Sequence, residues 1–462
     1  MCKFFILAAV LCGVLTIPEM AAAERVAAAE KETVENRAAQ NAAVETDSAA
    51  TDAEEQPAAE SADQQDVTDA REAPEKEQEE QPARVLALDK FRPRSMMAVE
   101  STDVAAARFP VVNVHAHFQY RFRQSKEQLD QFVRLMDRNN LAIYVSLDGR
   151  LGDEWGDHSE YLWGEYKQRF VIFVSLDWRG DGDPEDPSTW DCHRPDFARR
   201  TAEQLAIAKE KGASGLKLFK QMGLEYKNPD GSLVEIDDPR WDPIWEACGQ
   251  LGLPIIIHTS DPAAFFEPVD ERNERWEELH RRPEWSFHGD QFPSREDLLQ
   301  SRNHVIGKHP NTIFIGAHMA NNPENLAEVS QWLTRYPNLY VEFASRIAEL
   351  GRQPYTARKF FMEHADRIMF GTDGPWPETR VRLYWRFLET FDEYFPYSEK
   401  PFPPQGFWNI YGLGLPDEVL RKIYFENASR VIPGVKERLE AWHKVETEAK
   451  LPEGPQAPGS AL

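Results

Sequence analysis

A chain of 462 residues with 41% hydrophobic and 28% charged side chains has a globular composition, which excludes collagen-like, fully disordered and multi-span membrane chains. Its formal net charge of -25, from 53 Lys and Arg against 78 Asp and Glu, repels a phosphate backbone and argues against a nucleic-acid partner; a small-molecule substrate suits it better. The length also accommodates one large α/β barrel with tails in place of three average domains.

Residues 1–23 read Met1-Cys2-Lys3, an apolar run over 4–18, and small residues at Ala21, Ala22 and Ala23. One positive charge, a short apolar stretch and a small-residue cleavage site are the parts of a signal peptide, and the run is short for a membrane span. The expectation is an exported protein, periplasmic or extracellular, with no transmembrane span after cleavage. A lipoprotein anchor at Cys12 is the rival, disfavoured by the bulk of Leu11. Cleavage leaves Cys192 and Cys248, too few for a disulfide framework; pairing and two buried thiols both stay open. Residues 24–108 are expected to be an acidic disordered linker. Over 24–84 there are 18 acidic and 6 basic side chains, a balance of -12, with almost no aromatic or branched apolar residues. Such a segment buries too little apolar area to offset chain entropy, and its charge says nothing about substrate.

From 109 to 434 eight short apolar runs, at 111–114, 141–147, 170–176, 215–219, 254–257, 312–315, 339–343 and 367–370, alternate with longer stretches. Helical patterns at 125–139 and 197–211 are long enough to connect parallel neighbours. This alternation predicts a (β/α)8 barrel, with an open doubly wound sheet as the alternative that periodicity leaves open. No fixed-length repeat and no glycine-rich phosphate loop is present, which speaks against a dinucleotide domain. After the fifth run, residues 261–309 form a Trp-, Glu-, Arg- and Pro-rich insertion, a lid over the barrel mouth or a surface elaboration. Residues 435–462 are expected to be a charged helix over 435–449 and a Pro/Gly/Ser tail.

Singular polar residues fall at the ends of these runs. Val111-Val112-Asn113-Val114-His115-Ala116-His117 places two histidines at alternate strand positions, so both imidazoles reach one point from backbones roughly 6 to 7 Å apart. His258 ends 253–258, His318 ends 313–318, and Asp373 follows 368–372. In a barrel these positions converge on one mouth. Each alone also reads as a satisfied core histidine or, for Asp373 before Gly374-Pro375, a turn residue. Together they describe nitrogen and oxygen ligands for one divalent ion, zinc by default, with manganese or iron admissible. Such an ion lowers the pKa of its water from 15.7 to about 7 or polarises a carbonyl.

The strand-one His-x-His, the histidines closing runs five and six, Phe370-Gly371-Thr372-Asp373 and the stretch Lys422-Ile423-Tyr424-Phe425-Glu426-Asn427-Ala428-Ser429-Arg430 resemble the metal-dependent amidohydrolase superfamily. They are most similar to its amidohydrolase-related branch, which holds aminocarboxymuconate-semialdehyde decarboxylase-like enzymes and lactone hydrolases. The resemblance implies that His115, His117, His258 and Asp373 hold a single metal and that His318 is the acid/base, with Asp373 able to act as general base while touching the metal. It also makes Lys217, in Gly215-Leu216-Lys217-Leu218-Phe219-Lys220, a substrate contact, with Lys220 as rival and a paired interior lysine as the bland reading. Arg346 offers a fork to a substrate carboxylate. Asp148, Arg150, Trp178 and Arg179 hold equivalent places after strands two and three, and Trp376 is a candidate pocket wall or simple aromatic packing. His193, His280, His288, His304, His309, His364 and His443 lie away from strand ends and read as surface or packing residues.

The reading reached is a metal-dependent hydrolase acting on a C–N or C–O acyl bond of a small, anionic substrate. A non-oxidative decarboxylase on the same metal site is the alternative, since fold and metal do not separate the two. A non-catalytic binding protein stabilised by metal is a second alternative. A homo-oligomer is compatible with the sequence.

Overall fold

The computed structural model describes residues 85–87, 90–91, 93–118, 125–152, 155–400 and 404–449, the last four without their side chains. The expected signal peptide, most of the expected linker and the C-terminal tail lie outside the described residues. All eight apolar runs are strands: β1 (Val111–Ala116), β2 (Leu141–Arg150), β3 (Phe170–Ser175), β4 (Leu216–Leu218), β5 (Ile255–Ile257), β6 (Phe314–Gly316), β7 (Leu339–Glu342) and β8 (Ile368–Met369). They pair in parallel in the order β1 to β8. The ring is drawn together where Val114 N donates to Phe370 O at 2.9 Å, Asp373 N to His115 O at 2.9 Å and His117 N to Gly374 O at 2.6 Å. Consecutive order and these bonds define a (β/α)8 barrel and remove the open doubly wound sheet.

Helices make the seven crossovers, α1 (Lys126–Arg138), α2 (Trp155–Tyr166), α3 (Phe197–Glu210), α4 (Asp242–Leu251), α5 (Arg295–Lys308), α6 (Leu326–Arg335) and α7 (Pro354–Glu363), and α8 (Glu378–Glu389) follows β8. Their ends follow local chemistry. Ser125 caps α1 by accepting from Gln128 N at 3.2 Å, Ser294 caps α5 by accepting from Asp297 N at 3.1 Å, and Gly252 stops α4 at φ 64°.

Two apolar layers result. Val112, Val114, Ile143, Val145, Val171, Phe173, Ile256, Ile315 and Met369 fill the barrel's inner core together with Val431, Ile432, Val435 and Leu439. The last two belong to α9 (Val435–Ala449), where the charged helix was expected. Arg438 of α9 donates through Nε to Lys167 O, just ahead of β3, at 3.0 Å, so α9 closes the end opposite the strand C-termini. The second layer lies between strands and crossover helices and includes Cys192 and Cys248, both buried free thiols that do not pair.

Two boundaries differ from expectation. The insertion after β5 is shorter, because residues 295–308 are the crossover helix α5. Its remainder carries the short helix Trp276–Leu279, and Phe265, Leu279 and Phe287 build a satellite core with Leu224 and Leu298. Within the span expected as linker, Ala107 is buried and Thr102 donates from both N and Oγ1 to Asp392, each at 2.7 Å, so ordered contacts begin ahead of residue 109.

Candidate metal centre

The strand ends gather the predicted residues at one rim. In β1 the register with β2 shifts between Asn113 and Ala116. The parity of the strand changes with it: Val111 and Ala116 both lie in the outer layer, while Val112 and Val114 fill the inner one. A bulge of this kind re-aims side chains at a strand end, and it lets His115 and His117 meet. Their Nε2 atoms are 3.2 Å apart. Asp373 Oδ1 lies 3.8 Å from His115 Nε2 and 3.5 Å from His117 Nε2.

Each ring is held from behind. His115 Nδ1 donates to Glu342 Oε1 at 2.8 Å, and His117 Nδ1 donates to Asp148 Oδ1 at 2.7 Å. With both Nδ1–H groups committed to carboxylates, both Nε2 atoms carry lone pairs, so two acceptors and an anionic oxygen face one another. That arrangement is repulsive without a cation between them. Tetrahedral zinc at 2.0–2.1 Å from two nitrogens sets them about 3.3 Å apart, close to the separation present, and carboxylates behind metal-bound histidines are the usual outer support.

His258 and His318 complete the rim. His258 Nε2 is buried, has no hydrogen-bond partner among the described residues, and sits 3.7 Å from Asp261 Oδ1. Its ring is edge-on to His318 with centroids 4.6 Å apart, and His318 is 4.8 Å from His115. The donor atoms of His115, His117 and Asp373 all fall within 4.8 Å of one another; His258 stands outside that set, across His318. His318 Nδ1 donates to Ala344 O at 2.8 Å, which leaves Nε2 as its reactive atom. Burial lowers the pKa of three of these rings: His115 and His318 well below the ordinary value, His258 to about 4. They are neutral at neutral pH, as ligands must be.

Lys217 on β4 is 1% exposed, and its Nζ has no hydrogen-bond partner among the described residues. Burial brings it down to about 8, against the pull of Glu342, Asp373 and Asp148. The paired-lysine reading therefore fails, and Lys217 is a desolvated cation aimed among the site's carboxylates. Lys220 is the paired one: it forms an ion pair with Asp261 and, although burial opposes it, holds that carboxyl below its ordinary range. Arg346 is 6% exposed; its Nη1 is 3.9 Å from Glu349 Oε1, and its Nε has no partner among the described residues. Trp376 donates through Nε1 to Thr372 O at 2.8 Å and is covered by the Arg380 guanidinium at 3.5 Å, so it braces the turn that carries Asp373. Arg179 lies over the rings of Trp190 and Tyr226, at 4.8 and 5.5 Å.

Two residues that support the site were not identified as such from the sequence. Asp148, a loop polar residue on the sequence pattern, is buried in β2. Glu342 is the second. It is fully buried at the end of β7 and also accepts from His318 N at 2.8 Å and Ala344 N at 2.6 Å. The available signal was a carboxylate inside the apolar run Leu339-Tyr340-Val341-Glu342-Phe343.

The barrel and this rim define a class, an α/β barrel built to hold a divalent metal at its strand C-termini. More than half of the chain, residues 187–434, matches the amidohydrolase family Amidohydro_2. The chain belongs to that family and is an enzyme of the amidohydrolase type. No curated protein sequence matches it. Among solved structures it is similar to 2,6-dihydroxybenzoate decarboxylase from Rhizobium, at 16% identity over 70% of this chain and 98% of that one, TM-score 0.41. Dihydroxybenzoic acid decarboxylase from Polaromonas sp. JS666, solved with bound manganese and the inhibitor 2-nitroresorcinol, shares 19% identity over 71% and 99%, TM-score 0.42. The 4-oxalomesaconate hydratase from Rhodopseudomonas palustris shares 13% over 74% and 100%, TM-score 0.40. At these scores the likeness says nothing of the reaction.

Proposed function

We propose that the protein is a metal-dependent hydrolase that cleaves a C–N or C–O acyl bond of a small anionic substrate. The observation that carries the metal dependence is the pair of imidazole Nε2 atoms 3.2 Å apart, each with its Nδ1–H bound to a buried carboxylate and both facing Asp373. His115, His117, His258 and Asp373 are the residues that would hold the ion; zinc suits this donor set best, and manganese or iron fits it too. When bound, the ion supplies a Lewis acid and an activated water at neutral pH.

The chain's own residues do the rest. His318, with Nδ1–H fixed on Ala344 O, presents a neutral Nε2 that takes a proton during attack and returns it to the leaving group. Asp373, whose Oδ2 accepts from Ser345 Oγ at 3.1 Å, shares the role of base. Lys217 and Arg346 bind the anionic part of the substrate, since both are buried cations with an uncommitted donor atom. The donor residues are largely covered: side-chain exposure is 13% at His117, 14% at His258 and 20% at Asp373. Export, on the residue pattern of 1–23, places the reaction outside the cytoplasm, and a mature N-terminus near Glu24 is the sequencing result that would support it.

Purified protein, assayed for metal by elemental analysis, is tested on esters, lactones and amides that bear a carboxylate. Proton release that chelation abolishes and zinc or manganese restores supports hydrolysis. Carbon dioxide from unsaturated carboxylic acids, without ester or amide cleavage, assigns the site to decarboxylation. A change in melting temperature alone on metal addition, with neither reaction, assigns a binding protein.

A further inference from the structure

The chain leaving β6 does something that L-amino acids avoid. His318, Met319, Ala320 and Asn321 all have positive φ, at 55°, 60°, 51° and 54°, which makes one full left-handed turn without a glycine. Such residues occur singly, and a run of them persists only where surrounding contacts over-determine it. Those contacts are present. Arg302, fully buried on α5 and stacked 4.5 Å over Trp332, donates to Ala320 O. Arg295 donates to Asn321 O at 2.6 Å and Asn322 Oδ1 at 2.9 Å. Asn321 ties the turn to the chain after His258, with Nδ2 donating to Ser260 O at 2.7 Å and Oδ1 accepting from Thr259 N at 3.3 Å. From the other side, Glu342 accepts from His318 N. Gly316 lets the turn close over the strand end, since a Cβ there would lie 2.7 Å from Ala320 Cβ and 2.9 Å from its Cα.

We infer that this clamped left-handed turn exists to fix the direction of the His318 ring, and that Arg302 and Asn321 are positioning residues that act through it. The inference rests on the proton role proposed for His318. A right-handed continuation would place the ring differently with respect to Ala344 O, and the Nδ1–H bond that keeps Nε2 free as a base would be lost. Arg302 offers only N–H donors, and among the described residues its acceptors are Ala320 O and Asn303 Oδ1, so neutral oxygens hold it across the end of the turn.

The test uses the full-length zinc-loaded protein and two readouts. Long-range proton–nitrogen correlation spectra, with the His318 signal assigned by its loss in H318Q, report the imidazole tautomer; steady-state kinetics report kcat and KM. In the wild type His318 shows a fixed Nδ1–H tautomer. R302M and N321G are expected to keep metal content and to hold KM within about twofold. Both should convert that signal to a mixed tautomer and lower kcat about tenfold or more. A320G, which suits a positive φ, is expected to keep the tautomer. A fixed tautomer with unchanged kcat in R302M and N321G overturns the inference. If R302M does not fold, N321G decides alone, because glycine accepts the backbone angle there. A wild type without turnover defeats the proposed function instead, and the tautomer spectra still decide the turn.

Discussion

Three N–H groups converge on the buried carboxylate of Glu342, from His115 Nδ1, His318 N and Ala344 N. One side chain thus orients a proposed metal ligand and anchors the residue proposed to move the proton. Glu342→Gln keeps the shape but turns an NH₂ group toward N–H donors. An unsatisfied buried donor costs about 1–3 kcal/mol, so urea unfolding of the metal-free variant should show a loss of roughly that size. The same change frees the His115 ring, and loss of such an outer partner costs about 10–100-fold in metal affinity. Competitive zinc titration reads this directly; wild-type affinity in Glu342→Gln would remove Glu342 from the site. His318→Ala separates the other role. No proposed ligand is lost, so metal content should stay at the wild-type value while kcat falls by roughly 10² or more. Loss of metal in that variant would recast His318 as a ligand.

At the scale of elements, β7 and β8 meet so closely that side-chain volume is decisive. A Cβ on Gly371 would lie 2.4 Å from Glu342 Oε2 and 3.2 Å from His115 Cβ, and the outcome for Gly371→Ala is a displaced carboxylate and a lost or weakened metal. Elemental analysis after dialysis, beside a circular dichroism spectrum showing the barrel intact, checks it. This element was partly readable in the sequence. Buried parallel strands are short apolar runs, so all eight were visible, and barrel geometry sends His115, His117, His258, His318 and Asp373 to the same ends. Glu342 was hidden because a single carboxylate inside an apolar run looks like a solvent-facing position of the strand until its three donors are known. The β1 bulge depends on its pairing with β2, and the left-handed turn after β6 depends on contacts with α5, with the chain after β5 and with Glu342 of β7, which no local pattern encodes. Helix α5 was absorbed into the insertion for a related reason. Its buried positions Leu298, Leu299, Arg302, Val305 and Ile306 have helical spacing, but an arginine in the middle of the stripe breaks the apolar signature.

Across the whole molecule, the buried bases of the site tilt stability toward alkaline pH. His258 titrates near 4 in the folded chain against 6.5 ordinarily, and His115 and His318 are shifted the same way by burial. Between pH 6.5 and about 4 the unfolded chain therefore binds protons that the folded chain refuses. Stability falls as pH falls through that window, because it rises with pH wherever the unfolded state holds more protons. Lys217, brought from 10.5 to about 8, acts in the same sense higher up. Below pH 8 the folded chain carries a desolvated ammonium, and from 8 to 10.5 that burden is lifted relative to the unfolded chain. Metal-free protein is accordingly expected to melt at a lower temperature at pH 5 than at pH 7. The melting-temperature difference between Lys217→Met and wild type should shrink as pH rises from 8 to 10. Metal binding adds to the acid limb, since a cation held by neutral imidazoles is released as they protonate; the holo protein should lose its extra stability more steeply over the same acid range. Melting curves of both forms at pH 4.5 to 10 measure each limb. An apo protein whose acid limb is unchanged by His258→Gln would mean that the imidazole is not buried in its neutral form, and the ligand set built on it would fall with that assumption.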